Sequence, residues 1–476
     1  MEISKNIAIN TIASYIGRAV GTIFALTSIG LITRALGKEG FGEYSTIVAF
    51  LTTAQILADL GLHQLLTREI SQHPEREKEL FSQFFTLRLV FAVLFLSVAA
   101  GIVFLFPYST DVKAGVAVSA IAFVFLSLSQ LFSSIFQKYI QVYKAAFAEL
   151  IGRAAQLGVV AFFFITSPGL LGFLAALILG SFSIFAVNAF FAYRLVPFRL
   201  SISFTRWRYI LKETLPIAAS IAFTMLYFRA DTILLSILGT QEEVGVYNVA
   251  YKVLEALIFF PAVFVGLMMP AMSRYAKDSR KKLGELLGRL TDVATIFALP
   301  MVVGGILLSA SFVNIIGGPE FLVSAQTLQI LFIAVGVIFY GTLFGSAVIA
   351  LNLQKYAMWA YLVGFVVNFV ANIIVIPKYS YIGAAWTTVG TEVLVTLFLA
   401  ALVWRTIRYH PSFPKTSMAV LGTAVVAAFI FLLAPDINQP LPPYLFISAA
   451  VAGGAIYFSS LWLTQKLFSY GRISTQ

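Results

Sequence analysis

The 476-residue sequence contains no cysteine, and only 11% of its residues are charged. The first absence excludes disulfides and thiolate metal sites. The second excludes an ordinary soluble chain, in which about a quarter of residues carry charge. The three histidines, His63, His73 and His410, are too scattered to form a metal cluster. A phosphate loop is also missing. Lys38 follows Gly37, but Ile32 stands where the first loop glycine belongs and Glu39 where Ser or Thr belongs. No Ser-His-Asp set can be argued from the sequence. The pattern calls for no cofactor, no metal and no catalytic residue.

What is abundant is apolar length. Hydrophobic residues make up 60% of the chain, more than any single water-soluble core could bury, so the expected solvent is lipid. A membrane-crossing helix needs about 20 mostly apolar residues. About fourteen such runs occur, near 7–33, 41–65, 81–106, 114–137, 145–166, 169–193, 214–238, 245–270, 287–311, 323–350, 356–376, 381–404, 416–434 and 444–464. They are uniformly apolar, unlike the short alternating strands of a membrane barrel. The first run carries Arg18 in its middle and ends without a small-residue cleavage site, so it reads as the first membrane helix and not as a signal peptide. The expected fold class is an all-α integral membrane protein.

The net charge of +11 could suggest nucleic acid, but the cations sit in short loops between apolar runs. Five lie inside runs, at Arg18, Arg88, Arg153, Arg229 and Lys252. With both termini cytoplasmic, only Arg34, Lys38, Lys113 and Lys378 fall in outer loops, and the remaining twenty-three fall in inner segments. That asymmetry predicts a multi-pass protein of the inner, cytoplasmic membrane with an even helix count.

The chain also repeats itself. Leu36-Gly37-Lys38-Glu39-Gly40-Phe41-Gly42-Glu43-Tyr44 is echoed by the polar turn Gly239–Gly245, closed by Tyr247. In each copy a glycine precedes a tyrosine by two positions and opens an apolar helix. A weaker echo relates Pro168–Gly172 to Pro377–Gly383. These echoes predict a six-helix lobe over 1–193, a cytoplasmic interfacial linker over 194–213, a second six-helix lobe over 214–404 and two additional helices over 405–476. Repeated halves of this kind are a transporter signature.

A charge at the centre of a membrane helix costs about 2.5–3.5 kcal/mol on insertion scales, so it normally faces an aqueous cavity or a partner. Ten such residues occur: Arg18, Asp59, Arg88, Glu149, Arg153, Arg229, Asp231, Lys252, Glu255 and Glu392. Glu149 and Arg153, four apart, are spaced to pair on one helix face, and Lys252 and Glu255, three apart, can do the same. Asp59 and Arg88 can pair across helices. Arg229 and Asp231, two apart, point in different directions, so Arg229 is not neutralised by its neighbour. Arg18 lies between Gly17 and Gly21, which would admit a close helix. The candidate substrate cavity is therefore built on Arg18, Arg229 and Lys252, with Asp231, Arg88, Arg153 and Asp59 as further members, and it would attract an anion.

This combination resembles the polysaccharide and O-antigen flippases of the multidrug/oligosaccharidyl-lipid/polysaccharide exporter superfamily. The residues that carry the resemblance are Leu36-Gly37 through Gly42-x-Tyr44, Ala58–Leu62 leading to Thr67-Arg68-Glu69, Arg229-x-Asp231, Val244-Gly245-x-Tyr247 with Ala250-Tyr251-Lys252, Pro270-x-x-Ser273 and Gly383-Ala384-Ala385-Trp386-x-Thr388. It implies two six-helix lobes that open to one side at a time. It implies a basic central cavity that accepts the pyrophosphate and glycan of a polyprenyl-linked oligosaccharide, while the lipid tail stays in the bilayer. Aromatics such as Tyr15, Phe24, Tyr227, Tyr247 and Tyr251 would face sugars or simply pack. The implied partners are the lipid-linked oligosaccharide, membrane lipids and other polysaccharide-assembly proteins, with no nucleic acid. Lipid II flippases of the superfamily share the two extra C-terminal helices and form one alternative. A cation-coupled multidrug exporter is another, although such exporters usually have twelve helices and acidic sites. A membrane-embedded glycosyltransferase would need a large polar outer loop, which this chain lacks.

Overall fold

The structure, a computed structural model, describes the backbone of residues 2–59, 61–166, 169–408 and 416–473, and their side chains outside 2–13, 15, 215–228, 416 and 464–473. The regular structure among the described residues is helical, and the chain is an all-α integral membrane protein. Two compact units divide it, Met1–Gly245 and Val246–Gln476.

The first unit opens with α1 (Glu2–Asp59), a 58-residue element. As one rod it would extend about 87 Å at 1.5 Å per residue, twice the full thickness of a bilayer. It breaks at Gly37, where φ 66° and ψ −172° are open only to glycine. The break divides α1 into an arm over 2–36 and an arm over 38–59, the first two predicted crossings. There follow α2 (Leu62–Gln72), α3 (Glu77–Ile102), α4 (Thr110–Lys138), α5 (Tyr143–Thr166), α6 (Leu170–Leu195) and α7 (Phe204–Leu238). The second unit begins inside α8 (Gln241–Asp278) and continues through α9 (Arg280–Leu307), the short α10 (Ser309–Ile316), α11 (Ser324–Ala350), α12 (Gln354–Ile407), α13 (Thr416–Leu433) and α14 (Pro443–Ile473). α12, at 54 residues, breaks at Ser380 (φ 50°), so it too supplies two crossings.

Among the described residues ten helical segments are long and apolar enough to cross a membrane. Two of them hold the broken α1 and α12. With α7 and the shorter apolar α13, the fourteen predicted runs are accounted for. Leu105, Ile165 and Leu432 are each more than 80% exposed, which suits a surface solvated by hydrocarbon and not by water.

Small residues set the helix register. A side chain at Gly17 would sit 3.4 Å from Ala146 and one at Gly21 3.9 Å from Arg153, so α1 and α5 run parallel in close contact. In the second unit Gly341 faces Thr396 and Gly345 faces Leu399, which makes α11 parallel to the far arm of α12. Gly305 against Phe332 and Gly336 against Val302 make α9 and α11 antiparallel. These directions agree with a chain that alternates sides at every predicted crossing.

The segment read as an interfacial linker, 194–213, holds both helix and extended chain. Residues 204–213 are already helical, as the start of α7, and only 196–203 lack helix. That stretch is pinned to α3. The Arg199 N–H donates to Ser82 Oγ at 3.2 Å and the Ser201 N–H to Thr86 Oγ1 at 2.8 Å. Phe198 packs among Phe81, Phe85, Phe132 and Tyr193. Hydrogen-bonding hydroxyls in an otherwise apolar helix hold the extended backbone where it would have no ladder partner of its own.

Candidate functional site

The deep charges fall into distinct environments. Arg88 is 1% exposed on α3. It forms a close ion pair with Asp59 at the end of α1. Its remaining donors reach Ala58 O and Ser127 O, both at 3.3 Å, and Gln130 Oε1 at 3.0 Å. Four protein acceptors on α1 and α4 therefore hold the guanidinium, and the cluster ties α1, α3 and α4 together. Burial of a charge is tolerated when each guanidinium nitrogen has an acceptor, as here.

Arg18 stands in contrast, exposed on the first arm of α1. One turn on, Gly21 abuts the Arg153 side chain from α5, so the two arginines border the same helix pair. Arg153 is about one-third exposed. It lies 3.9 Å from Glu149 and donates to Gln156 Oε1 at 3.4 Å. The predicted i,i+4 pair is present, with a long separation.

On α7 Arg229 is half-buried and Asp231 is buried. Arg229, Thr232 and Ser236 recur at helical spacing, which puts them on one face, and Ser236 Oγ lies 2.8 Å from the Tyr108 hydroxyl. Lys252 on α8 pairs with Glu255 at 2.6 Å. Tyr247 and Tyr251 are both buried and stack on each other at 5.6 Å. The Tyr247 hydroxyl lies 3.3 Å from Thr388 Oγ1. These two aromatics are packing residues in this structure. Phe24 is half-buried. The side chains of Tyr15 and Tyr227, and all of His410, lie outside the described residues.

The structure also buries polar groups beyond the ten deep charges. Asp292, inside the ninth run, is buried on α9. Thr295 Oγ1 lies 2.8 Å from the Tyr340 hydroxyl. Asn372 Nδ2 donates to Asn368 Oδ1 at 3.1 Å, and both asparagines are fully buried. Neutral amides inside apolar runs were the available signal.

At the ends rich in loop cations, the start of α7 docks on α2. Arg206 reaches the buried Glu69 at 3.2 Å, and Arg68 reaches Glu213 at 3.3 Å. Nearby, Lys138 pairs with Glu77 at 2.9 Å, and the Tyr139 hydroxyl donates to the same carboxylate at 2.9 Å. Burial, then that hydrogen bond, pushes the Tyr139 phenol above its ordinary value.

In the second unit an apolar cavity of about 680 Å³ opens among α8, α9, α13 and α14. Leu257, Phe260, Phe297, Met301, Val426 and Tyr457 are among its lining residues. The two terminal helices build it: Tyr457 on α14 donates to Ile296 O at 2.7 Å and so fixes α14 against α9.

With this geometry in hand, likeness to known proteins becomes informative. A family model described as "Polysaccharide biosynthesis protein" matches residues 3–276, more than half of the chain. The chain belongs to that family. It is 22% identical over 431 residues to Haloferax volcanii Agl15, named as a low-salt glycan biosynthesis flippase, with 90% of this chain and 89% of that one covered. A Shigella flexneri protein named as an O-antigen transporter is 25% identical over 419 residues, covering 83% of this chain and 96% of the other. Among solved structures, the lipid II flippase MurJ in an inward closed conformation matches with a TM-score of 0.77 at 16% identity, covering 98% of this chain and all of that one. An inward-facing multidrug resistance transporter, described as a MATE family member of the MOP superfamily, matches with a TM-score of 0.67 at 14% identity, covering 82% of this chain and 96% of its own. The fold is therefore the one that these two solved structures share, and α13 and α14 are included in the fuller of the two matches.

Proposed function

We propose that this protein is a flippase and not an enzyme. In this reading it moves a polyprenyl-(pyro)phosphate-linked oligosaccharide from the inner to the outer leaflet by alternating access. The observation that carries the reading is the family match over residues 3–276, on a chain that places the cations Arg18, Arg88, Arg153, Arg229 and Lys252 inside its membrane helices. A pyrophosphate carries about two negative charges and loses its hydration in hydrocarbon. Arginine can offset that loss with charge-assisted, often bidentate hydrogen bonds. Arg18 and Arg229 are assigned to the phosphate and the polar part of the substrate. Lys252, Asp231 and Arg153 are assigned as further candidate substrate contacts, while Asp59 and Arg88 brace the helices of the first unit. The apolar cavity between α9 and α14 is suited to the hydrocarbon of the carrier.

The lobes proposed for this cycle are 1–193 and 214–404, joined by 194–213, with 405–476 outside the repeat. Matching helix pairs support the repeat: α4 meets α6 where Gly115 abuts Leu174, and α11 meets the far arm of α12 at Gly341 and Gly345. The proposed location is the inner, cytoplasmic membrane with both termini cytoplasmic, on the strength of the loop cations. A thiol introduced by Ser279→Cys, at the start of α9, should react with an impermeant reagent only after the membrane is opened. Reaction in intact cells would reverse the orientation.

The functional test is flipping of a fluorescent lipid-linked oligosaccharide in vesicles at matched protein levels. Arg229→Ala should abolish transport, and Arg229→Lys should retain part of it, since Lys keeps the charge but loses the fork. Full transport by Arg229→Ala would remove Arg229 from the substrate path. Lipid II and a cationic drug, run in parallel, separate the two alternative substrate classes. The drug-exporter reading is the weaker one, because the multidrug-transporter match covers 82% of the chain against 98% for the flippase fold.

A further inference from the structure

Four cations at the cation-rich end of the first unit are matched by carboxylates. Arg68 meets Glu213, Arg76 meets Glu79, Lys138 meets Glu77 and Arg206 meets Glu69. Lys144, in the first turn of α5, and Arg194, in the last turn of α6, are held differently. Lys144 Nζ stands 5.3 Å from the ring centre of Phe191, and Arg194 Cζ stands 4.2 Å from that of Phe190. Both fall within the reach of a cation–π contact, about 6 Å. The two rings are 5.6 Å apart, so one aromatic pair carries both cations. Among the described residues neither cation is within ion-pair distance of a carboxylate. Glu149, further along α5, lies with Arg153 instead, at 3.9 Å.

Helix register brings these residues together. A side-chain carbon at Gly152 would meet Gly180 O at 2.7 Å, and one at Gly172 would meet the Phe163 ring at 3.1 Å. Numbers that rise along α5 therefore fall along α6, and the start of α5 lies beside the end of α6. The edge contact of Phe147 with Phe191, at 6.2 Å, continues that register. α5 has 24 residues and α6 has 26, which gives about 36 and 39 Å at 1.5 Å per residue. The hydrocarbon core is about 30 Å thick. The helix ends thus stand a few ångströms beyond it, at the depth of lipid headgroups. Phe147 and Phe190, one turn inward from the two cations, are each about half exposed, and Tyr143 and Tyr193 are exposed beside them. The surface is apolar on the acyl side and cationic on the headgroup side.

We propose that Lys144 and Arg194 bind the phosphate of an anionic phospholipid, whose acyl chains lie against Phe147 and Phe190. An anionic lipid fits because two cations without a carboxylate call for net negative charge, and a zwitterionic headgroup brings its own cation. The arginine fork suits phosphate oxygens. Basic pockets between membrane helices at the headgroup layer take such lipids. The aromatic pair keeps both cations at the boundary, where long side chains would otherwise extend into water. Ala146, two residues from Lys144, is where Gly17 packs at 3.4 Å. A lipid held here braces the end of α5 against which the arm bearing Arg18 rests. The site is separate from the charges assigned to transport and does not depend on the flippase reading.

The test is lipid binding to the full chain in detergent, read by native mass spectrometry as the protein is titrated with phosphatidylglycerol or phosphatidylcholine. The parent should bind its first phosphatidylglycerol at least fivefold more tightly than phosphatidylcholine. Lys144→Gln with Arg194→Gln should weaken phosphatidylglycerol at least tenfold and leave phosphatidylcholine unchanged, since each cation near the surface contributes about fivefold. The single variants should each lose about fivefold, and they decide the question if the double variant is not monodisperse. Arg208→Gln with Lys212→Gln removes two exposed cations from the start of α7 and should leave the first phosphatidylglycerol in place. Soluble glycerol phosphate, at tenfold excess over the lipid, should not displace it. Equal phosphatidylglycerol affinity in the parent and the Lys144/Arg194 variants would overturn the proposal. So would an equal loss in the α7 variant, which would mean a diffuse field and no site. Displacement by glycerol phosphate would make the ligand a free phosphate, and the lipid assignment would fall.

Discussion

Arg18 and Arg88 lie in the same unit, each inside a membrane-length helix, and the sequence presents them as equals. The structure separates them. Arg88 is 1% exposed on α3 and meets four acceptors on α1 and α4. Arg18 is exposed on α1, beside glycines that bring α5 close. The cost of a charge in a membrane helix is the same argument for both, yet it is met in two ways: by protein acceptors for Arg88, and by an accessible surface for Arg18. A deep cation marks a functional site only once its protein partners have been counted.

The sharpest way to break the comparison is to remove Arg88. Arg88→Ala leaves the Asp59 carboxylate beside a buried void with its cation gone. Truncating one partner of a buried pair costs about 3–5 kcal/mol, enough to erase most of a typical protein's stability. The expected outcome is loss of monodisperse protein in detergent, or a large drop in melting temperature. The double variant Arg88→Met with Asp59→Leu removes both charges and should recover much of the loss. If Arg88→Ala melts at the parental temperature, the cluster is not the brace described here.

The contrast also shows how much was legible from sequence. Apolar run length exposed the helices because hydrocarbon leaves the backbone no partner but itself. The turn echo at Gly42 and Gly245 was visible because only small residues permit such backbone approach. What the sequence did not reveal was that the two turns pack on each other, Gly42 against Gln241 and Gly245 against Lys38, since a repeat says nothing of where its copies meet. Pairing was legible where it was local, at Glu149 with Arg153 and at Lys252 with Glu255. It was open where it was not: Arg88 could be offered Asp59, but not Ser127 O or Gln130. The 194–213 segment read as interfacial because its cations and aromatics alternate. The hydroxyls of Ser82 and Thr86 that pin its backbone lie more than a hundred residues away, beyond any local pattern. Asn368 and Asn372 escaped because a neutral amide carries no formal charge, and Asp292 because it lies near the start of its run, beside Arg289.

The smaller expected effects lie with Arg18 and Arg153, which border the same helix pair and differ in their partners. Neither should change stability much, since Arg18 is exposed and Arg153 is about one-third exposed with its carboxylate 3.9 Å away. Hydrogen bonds to charged groups are worth about 1.5–3 kcal/mol, so losing a direct phosphate contact at Arg18 should slow flipping by about tenfold or more. Arg153→Ala removes a cation whose field Glu149 already offsets in part, and the expected loss is about two- to threefold. Glu149→Gln sharpens this point: with the carboxylate gone, Arg153 presents its full charge, and Arg153→Ala in that background should cost more than in the parent. The measurement is the initial flipping rate in vesicles at matched protein levels and low salt, with the same variants melted in detergent. Equal rates for Arg18→Ala and the parent would place Arg18 among the structural arginines and leave the anion to Arg229. A larger loss for Arg153→Ala than for Arg18→Ala would shift the phosphate contact from α1 to α5.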